Sequence, residues 1–167
     1  MTIQQANQYF AALPDGFADP EQLGALLPAS VQKVQFVGVA GTAGKTAVAR
    51  LLTAILQAQG ICAGAYHAGC EPLAARIRVA GKPVDEVLLC RAADALAAHE
   101  ELPLQAAELA AAAYCFGEAG CTLAVVELPD AGLAAALPQM PVCAVTAVGP
   151  DGVSRSVERL AALAGGV

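Results

Sequence analysis

The sequence predicts an α/β fold, with a mostly parallel β-sheet covered by helices on both faces. Three observations lead there. Short apolar runs at residues 33–39, 61–66, 123–127 and 142–146 recur between segments of helical spacing, as strands buried on both faces do. The first run passes through a glycine-rich turn directly into an amphipathic segment. Hydrophobic residues make up 57% of the chain but aromatics only 4%, with no tryptophan, so the core must be closely packed alanine, leucine and valine. With 167 residues and no internal repeat or low-complexity linker, the chain reads as one domain, 1–167.

Residues 4–13 place Ala6, Tyr9, Phe10 and Leu13 on one side of a first helix, ended by Pro14-Asp15-Gly16. Asp19-Pro20-Glu21 starts a second, with Asp19 as N-cap and Pro20 at the first helical position, running to about Leu27. Strand one follows, then a helix from Lys45 to about Gln59 that stops at Gly60. After strand two comes a loop, 67–73. The alternation of Arg76, Ile77, Arg78 and Val79, broken by Ala80-Gly81, predicts a small exposed β-hairpin inserted in the fold. Asp85 caps a helix to about Ala98, and Pro103 opens another that ends at Gly120; its apolar stretch 109–116 reads as a buried helix. Strand three is 123–127. A short helix from Asp130 is interrupted by Pro138 and Pro141, strand four is 142–146, and a last helix covers 154–163.

Composition narrows the function classes. A net charge of −6 with scattered cations argues against a nucleic-acid-binding patch. No apolar run reaches the length of a membrane span, and residues 1–5 do not start a signal peptide. The six cysteines form no C-x-x-C pair and mostly lie in apolar runs, so they read as small core residues in a reducing cytoplasm. Only 14% of residues are charged, which suggests apolar surface covered by a second copy or a partner chain.

The turn after strand one carries the chemistry. Gly41-Thr42-Ala43-Gly44-Lys45-Thr46 sits between a strand and a helix, the context a phosphate-binding loop requires. Glycines let backbone N–H groups approach phosphate oxygens, and a helix N-terminus favours the anion. Lys45 is placed for the terminal phosphates and the Thr46 hydroxyl for Mg²⁺. The pattern is the compact one, since Val39 stands where longer versions have their first glycine. The fold class thus sharpens to a three-layer domain of the phosphate-loop nucleoside-triphosphatase type. Glu127 ends strand three, where a carboxylate either faces the loop and holds Mg²⁺, directly or through water, or simply meets solvent. Asp151 reads as a Pro-Asp-Gly turn residue, His67 as a loop histidine and His99 as solvated. Arg76 and Arg78 either bind an anionic substrate or are solvated on the hairpin.

Residues 39–46 resemble the nucleotide loop of the Mur ligase superfamily, most closely its folylpolyglutamate synthase/dihydrofolate synthase branch. Ala11-Ala12-Leu13-Pro14, residues 60–66, the arginine hairpin 76–84, the strand 123–127 and Val145-Thr146-Ala147-Val148-Gly149-Pro150-Asp151 are similar to segments of that branch, in order along the whole chain. The family forms amide bonds: ATP phosphorylates a carboxylate, and an amino group, usually of glutamate, attacks the acyl phosphate. The resemblance implies phosphate binding by Lys45, a first Mg²⁺ at Thr46 and a second at Glu127. The departures are substantial. Ala43 replaces the loop asparagine, the Ser-Pro-His segment is absent around His67-Ala68-Gly69-Cys70, the Gly-Leu-Gly-Gly-Arg segment is replaced after Glu127, and Gly152 stands at a metal-binding histidine. Nothing in the 167 residues corresponds to the family's C-terminal ligase domain. The expectation is a domain that binds ATP and Mg²⁺ and is not a self-sufficient ligase. The alternatives are a folylpolyglutamate- or Mur-type ligase subunit completed by another chain, and a non-catalytic structural or regulatory remnant.

Overall fold

Side-chain parity along the central strands sets the layers. In β1 (Gln35–Ala40), Phe36 and Ala40 turn to one face of the sheet while Val37 and Val39 turn to the other; in β5 (Leu123–Glu127), Ala124 and Val126 share the first face and Leu123 and Val125 the second. The computed structural model describes residues 1–16, 18–99, 102–129 and 131–147. The predicted helix 154–163 and Asp130 and Asp151 lie outside the described residues.

Six strands form one sheet in the order β4-β3-β2-β5-β1-β6, with β2 Ala63–Tyr66, β3 Ile77–Val79, β4 Lys82–Pro83 and β6 Val142–Val145. The four strands β2, β5, β1 and β6 run parallel, and β3 and β4 add an antiparallel edge. Helices α1 (Ile3–Ala12), α5 (Glu86–Ala97) and α6 (Leu104–Glu118) cover the first face, and α3 (Lys45–Ala58) covers the second. The predicted α/β fold with a mostly parallel sheet between helical layers is therefore observed.

Local signals explain the helices. Thr2 accepts from the Gln5 N–H, and the Gln5 side chain accepts from the Thr2 N–H, so α1 opens on a complete capping box. Asp19 caps α2 (Pro20–Ala25) by accepting from the Glu21 N–H, and Asp85 caps α5 by accepting from the Val87 and Leu88 N–H groups. Helix α6 is apolar nearly all round and buried from Ala106 to Ala113, as its composition predicts. It approaches the sheet at Gly64: a Cβ there would lie 2.4 Å from the Phe116 ring. Alanines and this glycine bring helix and sheet close, so the few aromatics of the core pack against small neighbours.

The structure corrects several expectations. Residues 29–33 form a 3-10 turn, and residues 73–76 a short helix α4 behind Pro72, neither of which periodicity showed over so few residues. The hairpin shrinks to β3 and β4, and Arg76 belongs to α4 in the core, not to an exposed strand. The segment after Asp130 is a 3-10 turn, Ala131–Ala136. Cys90, Cys115 and Cys121 are buried as expected, but Cys62 and Cys70 are exposed; all six are free. Burial pushes the Cys115 and Cys121 thiols up to about 12, which keeps both protonated. Leu51 and Ile55, one turn apart on α3, are exposed. No helix among the described residues is long and apolar enough to cross a membrane.

Two substitutions test this packing in opposite directions. Gly64→Ala forces a methyl against the Phe116 ring and is expected to lower stability by about 1–3 kcal/mol in urea titration. Ala80, in the β3–β4 turn, has φ +49°. A left-handed Cβ costs about 1–2 kcal/mol, partly offset by the flexibility of glycine, so Ala80→Gly is expected to raise stability by about 0.5–1 kcal/mol in the same assay.

Candidate functional site

The parallel pairing of β1 with β5 places Val39 opposite Glu127, so the carboxylate emerges beside the loop that follows β1. That loop is shaped by two glycines at positive φ, Gly41 at +136° and Gly44 at +82°. A side chain at Gly41 would also meet the Thr146 hydroxyl. Thr146 donates to the carbonyls of Ala43 and Ala40, at 2.6 and 3.1 Å. The Thr42 and Ala43 N–H groups both donate to the Ala147 carbonyl, at 2.8 and 3.4 Å. The loop is thus fixed against the end of β6.

Helix α3 begins at Lys45, behind the left-handed Gly44, and its first intrahelical bond is donated by Val48 to the Gly44 carbonyl. The N–H groups ahead of Val48 start the helix without an intrahelical acceptor, which is the arrangement that receives phosphate oxygens. Lys45 Nζ donates to the Gly41 carbonyl at 2.8 Å, so its ammonium lies folded over the loop. Thr46 Oγ1 donates to both oxygens of Glu127, at 3.2 and 3.0 Å, and the Ala68 N–H donates to Oε2 at 3.1 Å. Glu127 is buried, with 4% exposure. A hydroxyl and a carboxylate in contact are a hard-oxygen donor set of the kind Mg²⁺ takes, with phosphates and water completing the shell. These residues fit a bound Mg-nucleotide. Among the described residues no group of three or more histidine, cysteine, aspartate or glutamate side chains forms a metal cluster of its own.

His67 follows the last paired residue of β2 and lies on the same side of the sheet as Glu127. It is in a loop, as expected, but buried, and its Nδ1 has no hydrogen-bond partner among the described residues. Burial lowers its basicity, and the positive charge of Arg50 lowers it further, against a smaller opposing pull from Glu127. His99 is exposed, as predicted.

The structure parts the two arginines. Arg76 turns into the core and pairs with Glu108 of α6: Nη1 donates to Oε2 at 2.8 Å and Nη2 donates to Oε1. Its Nε donates to the Glu71 carbonyl, and Tyr66 donates its hydroxyl to Oε2 of Glu108. Burial lowers the arginine's affinity for its proton, but the hydrogen bonds and charge of Glu108 outweigh that, so its pKa is raised. Burial and then Glu108 raise the Tyr66 hydroxyl. The Arg76 guanidinium is taken up inside the protein. Arg78 donates to the Gly81 carbonyl at 3.2 and 2.7 Å, and stands beside His67, Arg50 and Glu71 at a cleft against α3. Sequence reading missed Arg50, Glu108 and the buried state of His67. Arg50 was within reach, since it falls one helical turn beyond Thr46.

Neither a protein-family model nor a curated protein matches the chain by sequence. Solved structures do match. E. coli FolC in complex with DHPP and ADP superposes with TM-score 0.73 at 23% identity, over 87% of this chain and 38% of that one. Mycobacterium tuberculosis folylpolyglutamate synthase complexed with ADP gives 0.72 at 23%, over 88% and 37%. The Lactobacillus casei folylpolyglutamate synthetase gives 0.75 at 20%, over 90% and 41%. The fold is that of folylpolyglutamate synthases. The chain spans 37–41% of the length of these three enzymes. The resemblance seen in the sequence motifs is therefore carried by the three-dimensional structure across nearly all of this chain.

Breaking the buried pair gives a stability test. Arg76→Met strands the Glu108 carboxylate in the core and is expected to cost about 3–5 kcal/mol by chemical denaturation.

Proposed function

We propose that this chain is a folylpolyglutamate-synthase-like nucleotide-binding domain, taking ATP or ADP with Mg²⁺ at residues 41–46 and Glu127. The observation that carries the reading is the Thr46–Glu127 contact beneath a glycine loop whose following helix opens with N–H groups that have no intrahelical acceptor. Support comes also from the ADP named in two of the matched structures. Gly41, Thr42, Ala43, Gly44, Lys45 and Thr46 form the phosphate site, with Lys45 leaving the Gly41 carbonyl for a phosphate oxygen. Thr46 and Glu127 hold Mg²⁺, which would offset phosphate charge.

Ligation lies beyond these 167 residues acting by themselves. Phosphoryl transfer needs cations around all the phosphates, and Ala43 and Gly152 stand where the resembling family has an asparagine and a metal-binding histidine. We read residues 1–167 as a single domain. Arg78, not Arg76, is left as the substrate contact of the hairpin. Free cysteines support a reducing, cytoplasmic setting. A second copy or partner chain over Leu51 and Ile55 is consistent with their exposure.

Thermal unfolding tests the reading. MgATP or MgADP at about 100 times Kd is expected to add about 2.7 kcal/mol of stability, seen as a rise in Tm. Lys45→Ala is expected to abolish the rise. Glu127→Gln is expected to remove the difference between nucleotide with Mg²⁺ and nucleotide with EDTA. An unchanged Tm at millimolar nucleotide overturns the proposal. Phosphate release by the isolated chain, in the presence of folate and glutamate, would show catalysis and overturn the non-ligase part alone.

A further inference from the structure

The face of the sheet that carries Glu127 continues beyond it. In the register of β2 with β3, Ala65 pairs with Arg78, so Arg78 shares the α3 side of the sheet with Ala65 and His67, while Ile77 and Tyr66 turn to the opposite core. Helix α3 meets this strip with Arg50, one turn past Thr46, and with Thr53 one turn further. Between helix and hairpin lies a cleft of about 440 Å³, lined by Arg50, Thr53, His67, Glu71 and Arg78 among others.

The charges in this cleft are unbalanced. Arg50 makes no hydrogen bond or ion pair among the described residues. Arg78 uses Nε and one contact from Nη2 on the Gly81 carbonyl, which leaves Nη1 and the second Nη2 proton. His67 is buried and its Nδ1 is unpartnered among the described residues. A buried polar atom without a partner is unusual and costly, and points to a group that the described residues do not supply. Among the described residues Glu71 is the only carboxylate on the lining, against two guanidinium groups.

We propose that this cleft is an oxyanion-binding subsite that takes the carboxylate or phosphate head of a small ligand other than the nucleotide, between Arg50 and Arg78 and against His67. It adds to the nucleotide reading and rests on it only for the ligand's role as a second substrate or effector; the binding itself needs no nucleotide. Planar guanidinium groups on two facing elements suit an oxyanion with two or three oxygens. The site is separate from the phosphate loop, because it lies along the flank of α3 and not at its N-terminus.

The chain has two histidines, so ring NMR reports the site cleanly, with exposed His99 as the internal reference. Glutarate and inorganic phosphate are titrated separately into the full chain without nucleotide. The expected result is a saturable shift of the His67 ring signals with either probe, while His99 stays unchanged. A response to glutarate alone assigns a carboxylate head, and a response to phosphate alone a phosphate head. Arg50→Gln, on an exposed helix position, is expected to weaken binding at least about tenfold. Arg78→Gln should do the same, but it also frees the hairpin turn, so Arg50→Gln is the deciding variant. Lys45→Ala, which abolishes the nucleotide effect, is expected to leave this titration unchanged. No saturable His67 shift with either probe overturns the proposal. So does a shift that Lys45→Ala removes and Arg50→Gln keeps, which would assign the anion to the phosphate loop.

Discussion

The parallel register of β1 against β5 is the constraint on which the site depends. It sets Val39 beside Glu127, so one strand delivers a loop and its neighbour delivers a carboxylate at the same sheet edge. A slip of one residue would turn Glu127 to the α6 face and into a core of alanine and leucine. The apolar residues that fix the register are thus also what aims the carboxylate. Val125 packs under α3, Val126 under α6, and the next position is free to be polar because the strand ends there.

Small side chains set the character of the rest. A core with so few aromatics gains burial by bringing backbones close, which is why Ala106 to Ala113 can all face packed surroundings. It also leaves little room for a buried charge. The pairing of Arg76 with Glu108, with Tyr66 as a third partner, is how the first face holds its charges, and it joins α4, β2 and α6. Such a pair adds little net stability relative to an apolar triad of similar volume, but it penalises any arrangement that separates its members.

Much of this was legible in the sequence. Strand-loop-helix order, Asp19 and Asp85 as caps, and the buried run 109–116 follow from residue types and spacing, whereas for Glu127 spacing left the loop and solvent as alternatives. What stayed hidden depends on contacts across the fold. Arg76 and Arg78 look equivalent two residues apart, yet one precedes the strand and meets Glu108, 32 residues away, while the other lies in the strand and faces α3. Alternation gives the parity of a strand but not where the strand begins. His67 reads as a loop residue because its burial comes from the elements around it, not from its neighbours in sequence.

The bonds from Thr42 and Ala43 to the Ala147 carbonyl have a dynamic consequence. They tie the loop to β6, which among the described residues is an edge strand paired on one side with β1. Edge strands open more readily than central ones, through sub-global fluctuations that leave the rest of the sheet intact. The loop's shape therefore follows the opening equilibrium of β6: when that strand frays, the two amides lose their acceptor together and Thr146 releases Ala43. Amide hydrogen exchange at residues 42 and 43 should accordingly track exchange in β6 and not exchange in β5, although β5 carries Glu127.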